Sequence, residues 1–167
     1  MSTFVSVGNA VQPFPRMLEA VRKCSAQLPH PILVQSGSTS FAATEMLVRP
    51  FLSSEEFAEA IERSELIILH SGAGSVIHAV RAGKTPVVMP RQKLYAEHID
   101  DHQVEFARAM EGAGRVVVAF EPGDLADAIS RARRVDAAGP KTFKAPPLIQ
   151  LVRTALLEVG ASRPARK

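Results

Sequence analysis

The chain of 167 residues contains one cysteine, Cys24, one tyrosine and no tryptophan. A single thiol cannot close an internal disulfide, and a reducing, cytoplasmic setting is expected. Aromatic residues make up only 5%, too few to interleave with basic residues as a stacking platform, so nucleic acid is not expected as a partner. No apolar run approaches the roughly 20 residues that span a bilayer. No basic and apolar leader precedes the first strand-like segment, so no export signal is expected. What is present is ordinary for a globular protein: hydrophobic residues at 46% against 22% charged, in a length that suits one domain with a real core.

The net charge of +3 is unevenly placed. Residues 131–167 hold nine Lys/Arg against two acids, whereas the rest holds 11 basic and 15 acidic residues. A basic tail on an acidic body suits an anionic membrane or protein surface, or is simply solvated.

Gly83-Lys84-Thr85 has the ending of a phosphate-binding P-loop, but His78 stands where that motif needs its first glycine. Pro86 and a strand-like Val87-Val88-Met89 follow, while the preceding stretch reads as a helix. The GKT is therefore a helix C-terminal cap, the end that repels anions.

Strand and helix signals alternate along the chain. Thr3–Val7, Ile32–Gln35, Leu66–Leu69, Val87–Met89 and Arg115–Phe120 read as strands, with Glu45–Arg49 a weaker one. Helices are expected over about Pro15–Leu28, from a Ser53 cap with Glu56 three residues on, between His70 and Gly83, from Asp100 or Asp101 to Gly112, and after Asp124. A Gly/Pro/Lys linker at 139–147, a helix at 148–159 and a frayed end complete the chain. The organisation expected is a Rossmann-like body over 1–135 and an appendage over 136–167. The alternation implies an α/β fold with an open parallel sheet, whose ligands sit beyond the carboxyl ends of the strands. The segments there are Gly8-Asn9, Gln35-Ser36-Gly37, His70–Ser75, Pro90-Arg91 and Glu121.

Two of these places carry chemistry. Gly72-Ala73-Gly74-Ser75, preceded by Ser71, joins a buried strand to a helix. Its glycines let an anion approach the free amides of the helix start, with the Ser75 hydroxyl beside them. Such turns also occur without a ligand, and the third glycine of a dinucleotide fingerprint is missing, which disfavours NAD. In His98-Ile99-Asp100-Asp101-His102-Gln103, His98 and His102 are four apart and could share a face with Asp101. That is metal-like spacing without an obvious third ligand. Helix-capping acids with surface histidines, or a polar helix head facing a ligand, are the other readings, and no metal is expected.

The stretches HSGAGSVIHAVRAGKTPVVMPR, EHIDDHQVEFARAM and FEPGDLADAI resemble, in this order, the C-terminal, donor-binding half of glycosyltransferase family 28. VSVGNAVQPFPRMLEAV, VQSGSTS and FLSSEEFAEAI narrow the likeness to the small separate subunit of split glycosyltransferases. Such subunits serve eukaryotic dolichol-linked N-acetylglucosamine transfer and bacterial exopolysaccharide assembly. The resemblance implies the C-terminal (donor) half of a GT-B enzyme, with a membrane-anchored partner chain supplying the acceptor half. It puts the diphosphate of a UDP-sugar at Ser71, Gly72, Ala73, Gly74 and Ser75. It puts the donor sugar's hydroxyls at His102 and Gln103 and the cleft wall at Gly8 and Asn9, and Gln35 and Gly37 count among the other donor-binding residues. His78 stands where the single-chain bacterial N-acetylglucosaminyltransferase has a ribose-binding glutamate, and a histidine can still bond a ribose. Arg91 is a candidate cation near the sugar.

A helix N-terminus can stabilise a departing UDP without a metal or other cofactor. Inversion also needs a base for the acceptor hydroxyl. Glu97, His98 and Asp101 are near in sequence, but the resemblance favours a base in the partner, so the isolated chain should be inactive. The implied acceptor is polyprenyl-diphosphate-linked, and the chain would be cytoplasmic and peripheral to the membrane through its partner. A non-catalytic subunit that activates another glycosyltransferase is the alternative. An epimerase-like enzyme, which would need two cleft walls in one chain, fits less well.

Overall fold

The computed structural model describes residues 2–137. The expected linker, last helix and basic extension lie outside the described residues, apart from the arginines in the last helix of the body.

Six strands form one sheet: β1 (Thr3–Ser6), β2 (Ile32–Gln35), β3 (Leu47–Arg49), β4 (Leu66–His70), β5 (Val87–Met89) and β6 (Val117–Val118). Their order is β3-β2-β1-β4-β5-β6, and every pairing is parallel. The helices are α1 (Pro15–Cys24), α2 (Ser54–Arg63), α3 (Ala73–Arg81), α4 (His102–Gly112) and α5 (Leu125–Ala137). The order reverses at β1, so the crevice between the carboxyl ends of β1 and β4 is the switch point at which such sheets bind ligands.

The strands are apolar on both faces because both are covered. Val5, Ile68, Val87 and Met89 pack with Met17, Leu18 and Val21 of α1 and Ile129 of α5. Phe4, Ile67, Leu69 and Val88 turn the other way, onto Ile61 of α2, Val76 and Val80 of α3 and Met110 of α4. Two half-cores thus hold a rigid sheet whose strand ends carry the loops.

Local signals explain most element boundaries. The Ser53 hydroxyl accepts from Glu56 N–H at 3.1 Å, and Ser53 N–H donates to Glu56 Oε2 at 2.9 Å, a complete capping box. At the other end of α3, Gly83 (φ +76°) donates to Val80 O and Lys84 N–H to Ala79 O, a Schellman cap. The GKT is a helix terminus, as its flanks imply.

The ends of the first helix and of the last strand differ from expectation. The α1 helix ends at Cys24 and continues as a 3-10 turn, Ser25–Gln27, before Leu28 turns extended. The last strand is two residues long rather than Arg115–Phe120. Its outer edge is closed by side chains: Val118 N–H donates to Glu111 Oε1 at 3.0 Å, and Arg131 Nη2 donates to Val118 O at 3.0 Å. A capped edge cannot recruit another strand. The β2–β3 connection contains no helix, so the alternation breaks there. Among the described residues no helix is long and apolar enough to cross a membrane.

Candidate functional site

A cleft of about 450 Å³ opens at the switch point, with the N-terminal ends of α2 and α3 as its two sides. From the sheet come Gly8 and Asn9 after β1, Gln35 ending β2, and His70 ending β4. Gly72, Ala73, Gly74, Ser75 and His78 line the α3 side, and Leu52, Ser53, Ser54 and Phe57 the α2 side.

The start of α3 is electrostatically unfinished. Its first intrahelical bond is Val76 N–H to Gly72 O at 3.1 Å, and the capping residue Gly72 has no side chain to bond the earlier amides. The N–H groups of Ala73, Gly74 and Ser75 therefore point forward unpaired, at the positive end of the helix dipole. The α2 capping box engages the N–H groups of Ser53 and Glu56. Of the two helix starts, α3 suits an anion better, because its first turn holds no acidic side chain whereas that of α2 holds Glu55 and Glu56.

His70 stands beneath these amides. It is half-buried, and desolvation together with the positive charge of Arg91 holds its pKa down at about 4, against an ordinary 6.5. His98 adds to this depression, and the Ser6 backbone opposes it without making a hydrogen bond to Nδ1 of normal geometry. The ring is neutral at physiological pH, and its Nδ1 has no hydrogen-bond partner. A buried polar atom without a partner is costly unless something arrives to satisfy it. The sequence places His70 at a strand end but assigns it no role; its value comes from its neighbours.

The floor of the cleft is tied by side chains. The Ser6 hydroxyl donates to Gln35 Oε1 at 2.9 Å and accepts from Gly8 N–H at 3.1 Å, while Gln35 Nε2 donates to Asn9 Oδ1 at 2.7 Å. Gly37 (φ +55°) lies behind this floor: a Cβ there would come within 2.6 Å of Gly8 O. Gly37 and Ser71 are thus buried supports rather than cleft surface, and the Ser71 hydroxyl has no partner. His78 reaches the rim, its ring 6.0 Å from that of Phe57.

The second cluster is arranged differently from the expectation. Arg91 does not face a ligand: it is fully buried. It donates from Nη1 to Gln12 O at 2.8 Å and Glu97 O at 3.2 Å, and from Nη2 to Val7 O at 2.9 Å. It is a rivet between loops. Asp101 does not join the two histidines either, because its carboxylate accepts from Lys93 N–H at 2.9 Å. Asp100 joins them, with Oδ1 3.1 Å from His98 Nδ1 and in close contact with His102 Nδ1. These three residues could approach a metal ion, yet Asp100 Oδ1 also accepts from His102 N–H at 3.2 Å. That bond satisfies the start of α4. Gln103 is buried, and His102 is exposed on the β5 side of the strand ends, outside the lined cleft.

The sequence model of the glycosyltransferase family 28 C-terminal domain matches residues 3–144. The chain belongs to this family. Relatives in it are named UDP-N-acetylglucosamine transferase subunit ALG13. The protein of Yarrowia lipolytica is 38% identical over 65 residues, 39% of this chain and 31% of its own length. That of Debaryomyces hansenii is 28% identical over 106 residues, 64% and 47% of the two chains. The chain spans less than half the length of these relatives. Among solved structures it is similar to the glycosyltransferase of kitacinnamycin, with a TM-score of 0.60, 19% identity and coverage of 79% of this chain and 34% of that one. It is also similar to CalG4, the calicheamicin glycosyltransferase, with a TM-score of 0.61, 17% identity and coverage of 81% and 35%. The fold is the C-terminal half of a GT-B glycosyltransferase.

Proposed function

We propose that the chain is the donor-binding, catalytic subunit of a two-chain inverting glycosyltransferase that moves a hexose from a UDP-sugar to a polyprenyl-diphosphate-linked acceptor. The observation that carries this reading is the α3 start, whose free Ala73, Gly74 and Ser75 amides stand over the neutral, unpartnered His70 at the sheet's switch point. A diphosphate would accept from those amides, and a neutral imidazole could add a donor. As the sugar–oxygen bond breaks, negative charge grows on the UDP, and a fixed helix N-terminus stabilises it without reorganising. On this reading no metal or other cofactor is required.

The base that deprotonates the acceptor hydroxyl comes from the partner. Within this chain Glu97 is 4% exposed and committed to a bidentate pair with Arg16. The partner would supply the acceptor half and the membrane anchor, holding this subunit at the cytoplasmic face. The relatives' names support a subunit and make N-acetylglucosamine the first sugar to test. Lipid-linked oligosaccharide and exopolysaccharide synthesis are the two settings this chemistry fits.

The test is calorimetric titration of the chain, alone and with its partner, against UDP, UDP-N-acetylglucosamine, UDP-glucose, UDP-galactose and UDP-glucuronate. UDP binding that is lost when the Gly72–Ser75 turn is altered supports the reading. Absence of UDP binding in both states would replace it with a non-catalytic activating subunit, and full transfer by the isolated chain would remove the partner's base.

A further inference from the structure

A second groove, of about 380 Å³, runs between α2 and the outer strands β2 and β3. Leu33 and Leu47 form its floor, with Leu52 and Ala60 on the flank. The two floor residues are register partners, so they share a face of the sheet, the one that also carries Phe4 and Ile67. On that face α2 packs further in, its Phe57 ring 5.2 Å from that of Phe4 in β1. The β3 strand therefore protrudes beyond the helix, leaving Leu47 57% and the nearby Phe51 54% exposed. Parallel sheets are normally covered on both faces, and here one end is bare. The charged side chains of the groove are already paired, Arg49 with Glu56 at 2.8 Å and Arg63 with Glu59 at 2.9 Å. Such a surface fits an apolar segment better than an anionic one.

The chain leaves the body beside this groove. Arg133, near the end of α5, stands 3.7 Å from Glu65, whose N–H donates to Ser2 O at 3.0 Å. Ser2 and Ser64 line the end of the groove. The α5 helix runs to Ala137, about one turn past Arg133. The residues 138–147 that follow can span about 33 Å when extended. The groove's own helix, α2, has ten residues and is about 15 Å long, so the tether is long enough. Beyond it, residues 148–159 hold eight apolar side chains among twelve. Leu148, Leu151, Val152, Ala155 and Val159 recur at helical spacing, a stripe that needs a surface to be buried against.

We infer that residues 148–159 dock as a helix in this groove, with their apolar stripe on Leu33 and Leu47. The chain thereby supplies its own cover for the open end of its sheet. Leu52 lines both the groove and the cleft, so the docked segment also backs the α2 side of the cleft. This docking does not depend on the donor-binding reading and would survive its failure.

The test uses the full chain with one thiol placed in the groove. Cys24→Ser removes the only native thiol, and Leu47→Cys supplies the probe, read as its rate of reaction with an aromatic disulfide reagent. That thiol should react about tenfold more slowly than when Val152→Asp is added, the groove being open in about a tenth of the molecules. A control thiol from Leu94→Cys, at a position 80% exposed on the loop after β5, should react equally with and without Val152→Asp. If Leu47→Cys itself weakens docking, hydrogen exchange of the β3 amides carries the same expectation, faster in Val152→Asp than in the native chain. Equal rates in both measurements overturn the inference. Slow labelling that speeds up on dilution would give the groove to a second copy of the chain. Slow labelling only when the glycosyltransferase partner is added would give it to that partner, and either result overturns the inference.

Discussion

The imidazole of His70 occupies the space that a side chain on Gly72 would need. A Cβ there would lie 2.9 Å from both Cδ2 and Cε1 of the ring, and closer still to Nε2. Gly8 (φ +76°) meets the same ring, with its Cβ position 2.5 Å from Nε2 and 3.1 Å from Nδ1. Both glycines of the switch point are thus required by the position of one histidine.

Gly72→Ala should therefore destabilise the fold by about 1–3 kcal/mol, because the added Cβ meets the His70 ring and forces it to shift. Gly8→Ala should cost about 1 kcal/mol more, for its left-handed backbone. Gly74, with nothing within 4 Å of its Cβ position, is the contrast. Gly74→Ala should be neutral or up to about 1 kcal/mol stabilising. Urea denaturation of the three variants separates these outcomes.

His70 should make stability fall with acid. Its folded pKa of about 4 lies below the ordinary 6.5, so between these values the unfolded chain binds the extra proton. Its contribution is complete above pH 6.5 and is lost as pH falls to about 4, a total on the order of 3 kcal/mol. Denaturation midpoints across that window should be flatter in His70→Asn than in the native protein. Equal slopes would contradict the neutral ring.

The capping box predicts that Ser53→Ala costs about 1 kcal/mol. Ser53 also lines the cleft, so the loss should be measured as unfolding free energy in the absence of ligand.

Arg91 serves three backbone carbonyls, of Val7, Gln12 and Glu97. Arg91→Met should lower stability by about 2–4 kcal/mol, because those carbonyls stay buried without a donor. It should not selectively weaken UDP-glucuronate relative to UDP-glucose. A selective loss of the carboxylate-bearing donor would restore Arg91 as a ligand contact.

Removing metals should leave transfer intact. With the helix N-terminus as the electrophilic element, dialysis against a chelator should change the rate by less than about twofold. A loss of more than about tenfold, recovered by a divalent ion, would refute the metal-independent mechanism.

The glycine turn was legible because free amides follow from a local fact: a glycine at the cap of a helix that follows a buried strand. The GKT could be dismissed on equally local grounds, since Pro86 and a strand stand where a P-loop helix would begin. Arg91 illustrates the opposite case. A cation next to a strand end looks like a ligand contact, and only its acceptors, up to 84 positions away, show it to be a rivet. Asp100 and Asp101 are adjacent, and a chain reading cannot tell which joins His98 to His102. The Lys93 amide decides it by engaging Asp101.

The sequence by itself determined the elements, their order and the end of the sheet at which the cleft opens. Strand hydrophobicity, capping residues and turn glycines act over a few residues, and their energies depend little on the rest of the chain. The tertiary structure decided which polar side chains face the cleft and which are consumed in holding it. It set the depressed basicity of His70, the burial of Arg91 and the Arg16–Glu97 pair. Those properties belong to contacts between segments tens of residues apart, where desolvation and charge depend on neighbours that only folding brings together.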